Sequence, residues 1–346
     1  MKEDNNLTIE ERERLHEAFE KLQKLVVDVV TMQEFAKLQE LLMRATLCDS
    51  LERDQFGLHP VLFDVETAII SAEEVGLNRA SIVSILLTHC ASMGMMSEEE
   101  ICKDFGDEVA HIIHGIQRVN ELYSKNPSIG TENFRDLLLS FAEDMRVIFI
   151  IIADRVNLMR QIKDRGEIEE RTRVATEAAQ LYAPLAHKLG LYLIKRELED
   201  LSLKYLEPDV FYMIKDKLAE TRASRDLYIK NFIGPIEEKL NAAGLKFHIK
   251  GRTKSIHSIW QKMKKQKCKF EGIYDLFAIR VILDSELTKE KQDCWQVFSI
   301  VTDMYRPNPK RLRDWLSVPK SNGYESLHIT VMGPEGKWVE IQIRTE

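Results

Sequence analysis

Between Lys250 and Phe270 the chain carries a dense run of cations and not one Asp or Glu. Lys254, Ser258 and Lys262 recur every four residues, the spacing that lines side chains up on one face of a helix. Ile256, Ile259, Trp260 and Met263 fall at offsets of three, four and seven and make the opposite, apolar face. Cations and a hydroxyl ranked at a helix N-terminus suit a polyphosphate, because free N–H groups and the helix dipole already favour anions there. A solvated basic helix resting on a core would show the same pattern.

Carboxylates come from two other stretches. In Trp338–Thr345 the residues alternate, with Val339, Ile341 and Ile343 on one side and Glu340, Gln342 and Arg344 on the other. Asp275 sits just before Leu276–Leu283, a run apolar enough for a central strand, where an acid is either a metal ligand or a turn residue. Two carboxylates from different strands could share one Mg²⁺, which takes oxygen ligands and few protein groups beside phosphate. A third stretch, Val318 to His328, has a turn signal at Asn322-Gly323 and places Lys320 near Tyr324. Base stacking on such a ring is worth about 1–3 kcal/mol, although a tyrosine opening a strand is equally often a core residue. Arg306, Lys310, Arg311 and Arg313 form a second basic loop, which could equally be a solubilising surface.

These residues need elements to hold them. Lys246–Lys250 alternates as a half-buried strand does, and Gly251 is expected to break it. Strands are expected at 277–283, 325–332 and 338–345, with a helix at 293–305. Residues 8 to about 200 read almost wholly helical, opening on a Thr8/Glu11 capping box; one helix is expected at 133–141. The fold class is therefore α+β: an all-α domain over 1–170, a helical connector over 171–205, and a mixed-sheet domain over 206–346. The 346 residues suffice for two cores. A net charge of −7 argues against whole-surface attraction to nucleic acid or anionic lipid, so an anionic ligand needs a local patch. Five cysteines with no Cys-x-x-Cys pair point to a reducing cytoplasm. The longest apolar run, Val147 to Ala153, is too short to span a bilayer, so no membrane partner is expected.

In order and spacing, Gly251-Arg-Thr-Lys254 with Ser258 and Lys262, Tyr274-Asp-Leu-Phe-Ala-Ile-Arg-Val281, Pro319-Lys-Ser-Asn-Gly-Tyr-Glu-Ser-Leu-His328 and Glu340-Ile-Gln-Ile-Arg-Thr345 resemble the synthetase domain of long RelA/SpoT homologues. The resemblance implies a nucleotidyltransferase-like architecture and transfer of the ATP pyrophosphate to the 3′-hydroxyl of GDP or GTP. It implies Arg252 and Arg280 around adenine, with Lys254, Ser258 and Lys262 on the ATP phosphates. Asp275 and Glu340 would hold Mg²⁺, and Glu340 would also serve as base. Tyr324 would stack on guanine, with Lys320, Asn322 and His328 around the acceptor. Ser255 departs from the histidine the family often has. Arg311-Leu-Arg-Asp314 is similar to the Arg-x-Lys-Asp pattern of bifunctional members, with Arg313 in place of lysine; it hints at GDP and puts Arg311 and Arg313 on the acceptor side.

The N-terminal part resembles the HD-type hydrolase of the same family in Asp107–Gly115 and Ala153–Val156, but not in its metal motif. Where the family has Leu-Leu-His-Asp-x-x-Glu-Asp, this chain has Leu86-Leu-Thr-His-Cys-Ala-Ser-Met93. Aligned on the leucines, the metal pair becomes Thr88 and His89 and the catalytic acids become Ser92 and Met93. Leu158 replaces the asparagine expected after Ala-Asp-Arg, leaving His59 and Asp154. The resemblance thus implies a pseudo-hydrolase joined to a live synthetase, with (p)ppGpp as a ligand of the old pocket. Long members continue past this point into a region that contacts the ribosome, so the chain is expected to be a piece of a longer protein. Two rivals remain. Nucleotidyl transfer to RNA or DNA is disfavoured by Phe277, which stands at the second position of an Asp-x-Asp strand. A silent nucleotide sensor is disfavoured by the presence of both Asp275 and Glu340.

Overall fold

The computed structural model describes residues 7–48, 51–125, 144–273, 276–318 and 325–345. They divide into two compact units, Met1–Leu206 and Glu207–Glu346. The helix expected at 133–141 lies outside the described residues.

Among its described residues the first unit has helices and no strand. Its helices are α1 Ile9–Val26, α2 Met32–Ala45, α3 Pro60–Ile70, α4 Arg79–Ser92, α5 Glu98–Phe105, α6 Asp107–Lys125, α7 Met145–Gln161, α8 Ile168–Glu177, α9 Ala183–Lys188 and α10 Tyr192–Leu206. The Thr8/Glu11 capping box is present at the start of α1. In α7 the run Val147, Ile148, Ile150, Ile151, Ile152 and Ala153 is buried, so this helix is apolar on nearly all sides and sits in the core. α8 to α10, the stretch expected as a connector, fall inside the first unit. Between α8 and α9 the helical path passes through a π-turn at Ala178–Tyr182.

The cap glutamate has a second partner. Arg53 grips both carboxylate oxygens of Glu11 at 2.7 Å, and chiefly that contact lowers the Glu11 pKa to about 2. An acid depressed by folding contributes stability above its unfolded pKa of about 4.3 and loses it as pH falls toward 2. Glu11→Gln should therefore cost about 2 kcal/mol at pH 7, a difference that closes between pH 4 and 2. Urea titrations across that range check it.

The second unit opens on α11 Pro208–Glu220 and α12 Arg222–Ala242, followed by β1 Phe247–Thr253 and α13 Ile256–Gln266. It continues through β2 Phe277–Leu283, α14 Glu290–Met304, β3 Arg313–Asp314, β4 Leu327–Met332 and β5 Trp338–Thr345. The strands form one mixed sheet in the order β1-β2-β5-β4-β3, with β2 and β5 parallel and the other neighbours antiparallel. One face is apolar: Ile279, Val281, Ile329, Ile341 and Ile343 pack against Phe232, Ile236 and Leu240 of α12 and Val297 and Val301 of α14. A smaller cluster joins Ile214 of α11 to Ile259 and Met263 of α13 and to Phe270 and Ile273.

Two local expectations are corrected. Gly251 does not end β1, which runs on to Thr253 because β2 offers a continuous ladder, Gly251 pairing with Ile279. A Cβ on Gly251 would come within 3.1 Å of Ile229, so the glycine serves close approach of α12. Lys254 is not on the helix; Ser255 caps α13, and Lys254 precedes it.

Candidate functional site

Strand register builds the polar face of the sheet. Lys250 of β1 pairs with Arg280 of β2, Arg280 with Gln342 of β5, Gln342 with His328 of β4, and His328 with Arg313 of β3. Directly paired residues project to the same side, so one polar row crosses all five strands. The neighbouring row is Arg252, Ala278, Glu340 and Thr330. The side chains between these rows are the buried isoleucines, valines and leucines of the opposite face, which is why the polar rows cannot swap sides without exposing the core.

Glu340 is the centre of this face. Lys254 Nζ lies 3.8 Å from its Oε2 and His328 Nδ1 3.4 Å from its Oε1. Gln342 Nε2 donates to Glu340 Oε1 at 3.0 Å. Arg280 donates to Gln342 Oε1 from Nε at 3.4 Å and from Nη2 at 3.2 Å. His328 is held edge-on against Trp315, ring centres 4.6 Å apart. The His328 contact above all, then Gln342 and Lys254, outweigh burial and lower the Glu340 pKa to about 2. The carboxylate is thus ionised at every working pH and set among cations, an arrangement that recognises phosphate or holds a metal.

The structure brings Arg252, Lys254, Arg280, Arg313, His328 and Glu340 onto or beside one face. Lys254 is anchored there by its backbone N–H, which donates to Leu276 O at 2.9 Å. Ser258 sits in the first turn of α13, where its N–H donates to Ser255 Oγ at 3.2 Å and its hydroxyl accepts from Ser255 at 2.7 Å. Ser255, a departure from the family pattern, is therefore a buried helix cap. Lys262 lies two turns into α13, off the face that buries Ile259 and Met263. Arg311 ends a 3-10 turn before β3 and is exposed. Asp275, Lys320, Asn322 and Tyr324 lie outside the described residues. Lys250, Gln342 and Trp315 were missed by sequence reasoning. Strand alternation alone could have flagged the first two, but Trp315 gave no signal before its contact with His328 was known.

In the first unit, a pocket of about 490 Å³ lies among α3, α4, α6, α7 and the α8–α9 turn. His89 Nδ1 meets Asp64 Oδ2 at 2.5 Å there. Asp64, with Asp154 in support, pushes the His89 pKa up to about 9 against burial. Burial pushes Asp64 up while His89 opposes it; the pair reads as imidazolium and carboxylate. Asp154 is pushed up to about 6 by burial, with Arg155 opposing. Thr88 and Ser92 turn their hydroxyls to helix carbonyls, at 2.7 and 2.6 Å. His59 is buried with no partner on either ring nitrogen, and burial lowers its pKa to about 4. Among the described residues, no group of three or more His, Cys, Asp or Glu could hold a metal. The residues present therefore do not fit a hydrolytic metal site.

Removing one partner of this pair leaves the other charge without compensation. His89→Leu should cost about 3 kcal/mol, and Asp64→Val added to it should recover most of that loss. Urea unfolding at pH 7, with the double variant as control, decides it.

Residues 251–346 match the model for a region found in RelA/SpoT proteins, and residues 49–192 match an HD domain. A GTP pyrophosphokinase from Myxococcus xanthus is 38% identical over 79% of this chain and 36% of its own length. A bifunctional (p)ppGpp synthase/hydrolase SpoT from Escherichia coli K12 is 32% identical over 95% of this chain and 46% of its own. A small alarmone synthetase 1 from Bacillus subtilis, solved with its product pppGpp, matches 39% of this chain and 74% of its own at 21% identity and a TM-score of 0.29. An HD domain followed by this region defines the class: a two-part chain of the RelA/SpoT type. The chain belongs to the RelA/SpoT family. It spans less than half the length of these curated relatives. Enzymes with these domains are generally metal-dependent. Among the described residues no helix is long and apolar enough to cross a membrane.

Proposed function

We propose that this chain is a GTP/GDP pyrophosphokinase, moving the pyrophosphate of ATP onto the 3′-hydroxyl of GDP or GTP and releasing AMP. The observation that carries the reading is the register that sets Arg252, Arg280, His328 and Glu340 on one face, with Lys254 against the carboxylate. Such transfer needs in-line positioning and charge neutralisation more than covalent help. Lys254, Ser258 and Lys262 bind the ATP phosphates, and Arg252 and Arg280 flank the adenine. Arg311, Arg313, Lys320, Asn322, Tyr324 and His328 serve the acceptor nucleotide, with Tyr324 stacked on guanine.

Glu340 accepts the hydrogen bond of the 3′-hydroxyl and takes its proton. A carboxylate held this acidic is a weak base, so placement of the two substrates supplies most of the rate. The donor chemistry suits Mg²⁺: Glu340 would give one hard oxygen and, by family resemblance, Asp275 would give a second, with phosphate and water completing the set. When bound, the ion neutralises the charge of the transferring group.

Residues 206–346 form the synthetase and 1–170 a pseudo-hydrolase. In the old pocket Arg155 lies over the Tyr182 ring at 4.3 Å and pairs with Glu177 at 3.1 Å through Nη2, while its buried Nε and Nη1 donate to nothing. Those two donors suit a phosphate of (p)ppGpp as a regulatory ligand. The cysteine usage fits the cytoplasm. Incubation with ATP, GDP and Mg²⁺, followed by ion-exchange separation, should yield AMP and guanosine tetraphosphate in equal amounts. AMP alone, or no turnover, removes the proposal.

A further inference from the structure

A cavity of about 600 Å³ in the second unit takes no part in this chemistry. It lies between α11, the first turns of α12, Phe270, Glu271, Ile273 and Leu276, and the β4–β5 turn. Tyr228, Phe270, Ile273 and Leu276 give it an apolar, partly aromatic wall.

Its rim is charged, and the charges are unevenly matched. Glu271 and Glu220 share Lys217, at 3.2 and 3.8 Å, and Glu335 holds Lys337 at 2.6 Å. Arg225 has no such partner. Its Nη1 donates to Leu218 O at 3.0 Å and Thr221 Oγ1 at 2.8 Å. Its Nε is buried and donates to nothing, and no carboxylate pairs with it among the described residues. An apolar pocket of ligand size with one unneutralised guanidinium selects an organic anion, its ring on the aromatic wall and its acid group at Arg225.

The cavity also touches the catalytic face. The Leu276 side chain packs against both apolar clusters of the unit. Its carbonyl accepts from Lys254 N at 2.9 Å, and Lys254 Nζ stands 3.8 Å from Glu340. We propose that this cavity is an effector site for a small aromatic anion, coupled to the Glu340 site through Leu276 and Lys254. The coupling rests on the ATP site proposed above; the binding does not.

The probe is 8-anilinonaphthalene-1-sulfonate on the whole chain, with uncharged N-phenyl-1-naphthylamine beside it and thermal melts to confirm folding. Arg225→Gln should weaken the sulfonate dye about tenfold and leave the uncharged dye unchanged. Ser224→Trp, at an exposed helix position on the cavity, should abolish binding of both. Equal sulfonate affinity in the parent and both folded variants overturns the site. Saturating dye should shift the affinity for a non-hydrolysable ATP analogue at least about threefold, reciprocally. An unchanged analogue affinity overturns the coupling. A chain that binds dye but no analogue keeps the cavity and removes the proposed enzyme instead.

Discussion

Glu340→Gln should lower the rate of guanosine tetraphosphate formation by about a hundred- to ten-thousand-fold and, because folding depresses the pKa of this acid as it does that of Glu11, should also cost about 2 kcal/mol of stability at pH 7 without unfolding the chain. The loss corresponds to roughly 3–5 kcal/mol of transition-state stabilisation, the scale of one charged ligand or base at a phosphoryl-type centre. The amide keeps the size and two-pronged shape of the acid and can still meet Gln342, so the sheet has no reason to rearrange. What goes is the negative charge that His328 and Lys254 now face at 3.4 and 3.8 Å. Because that acid is held near a pKa of 2, its ionisation cannot account for any acid limb of the pH–rate profile above about pH 4. A variant as active as the parent, in the same ion-exchange assay, would take the chemistry away from this face.

The second large effect is an absence. Incubated with ppGpp and Mn²⁺, the chain should release no pyrophosphate above the uncatalysed rate. Hydrolysis by a bound metal needs a closed ligand set and an acid or base beside the attacking water. Here the two adjacent family positions are Thr88, bonded to its own helix, and His89, occupied by Asp64. Ser92 is likewise turned to a helix carbonyl. Mn²⁺-dependent release that disappears in Asp154→Asn would show a working metal site and overturn the assignment of the first unit as a pseudo-hydrolase.

Local pattern exposed a good part of this molecule. The alternation in Trp338–Thr345 fixed both faces of β5, and the Thr8/Glu11 spacing marked a cap that the structure forms. The α+β division was readable because the helical period gives way to strand period after Gly244. What pattern could not give was pairing between distant strands. Nothing near Lys250 announces that it shares a row with Arg280, Gln342 and His328. Gly251 misled for the same reason: a glycine ends a strand only when no neighbour continues the ladder, and β2 does. The Asp64–His89 pair joins two helices, so each residue taken alone read as an odd substitution. The capping role of Ser255 was likewise invisible until the start of α13 was known.

The parallel pairing of β2 with β5 sets an order of assembly. The strands that meet there are about sixty residues apart in the chain, and closing so long a loop is slow compared with forming a hairpin such as β4–β5. During synthesis β1 and β2 emerge first, while the strand that bears the acid emerges last and must insert between β2 and β4. A nascent chain can thus finish its helical half and the cations of β1, β2 and α13 while the sheet still lacks Glu340, so the polar face is completed only by that insertion.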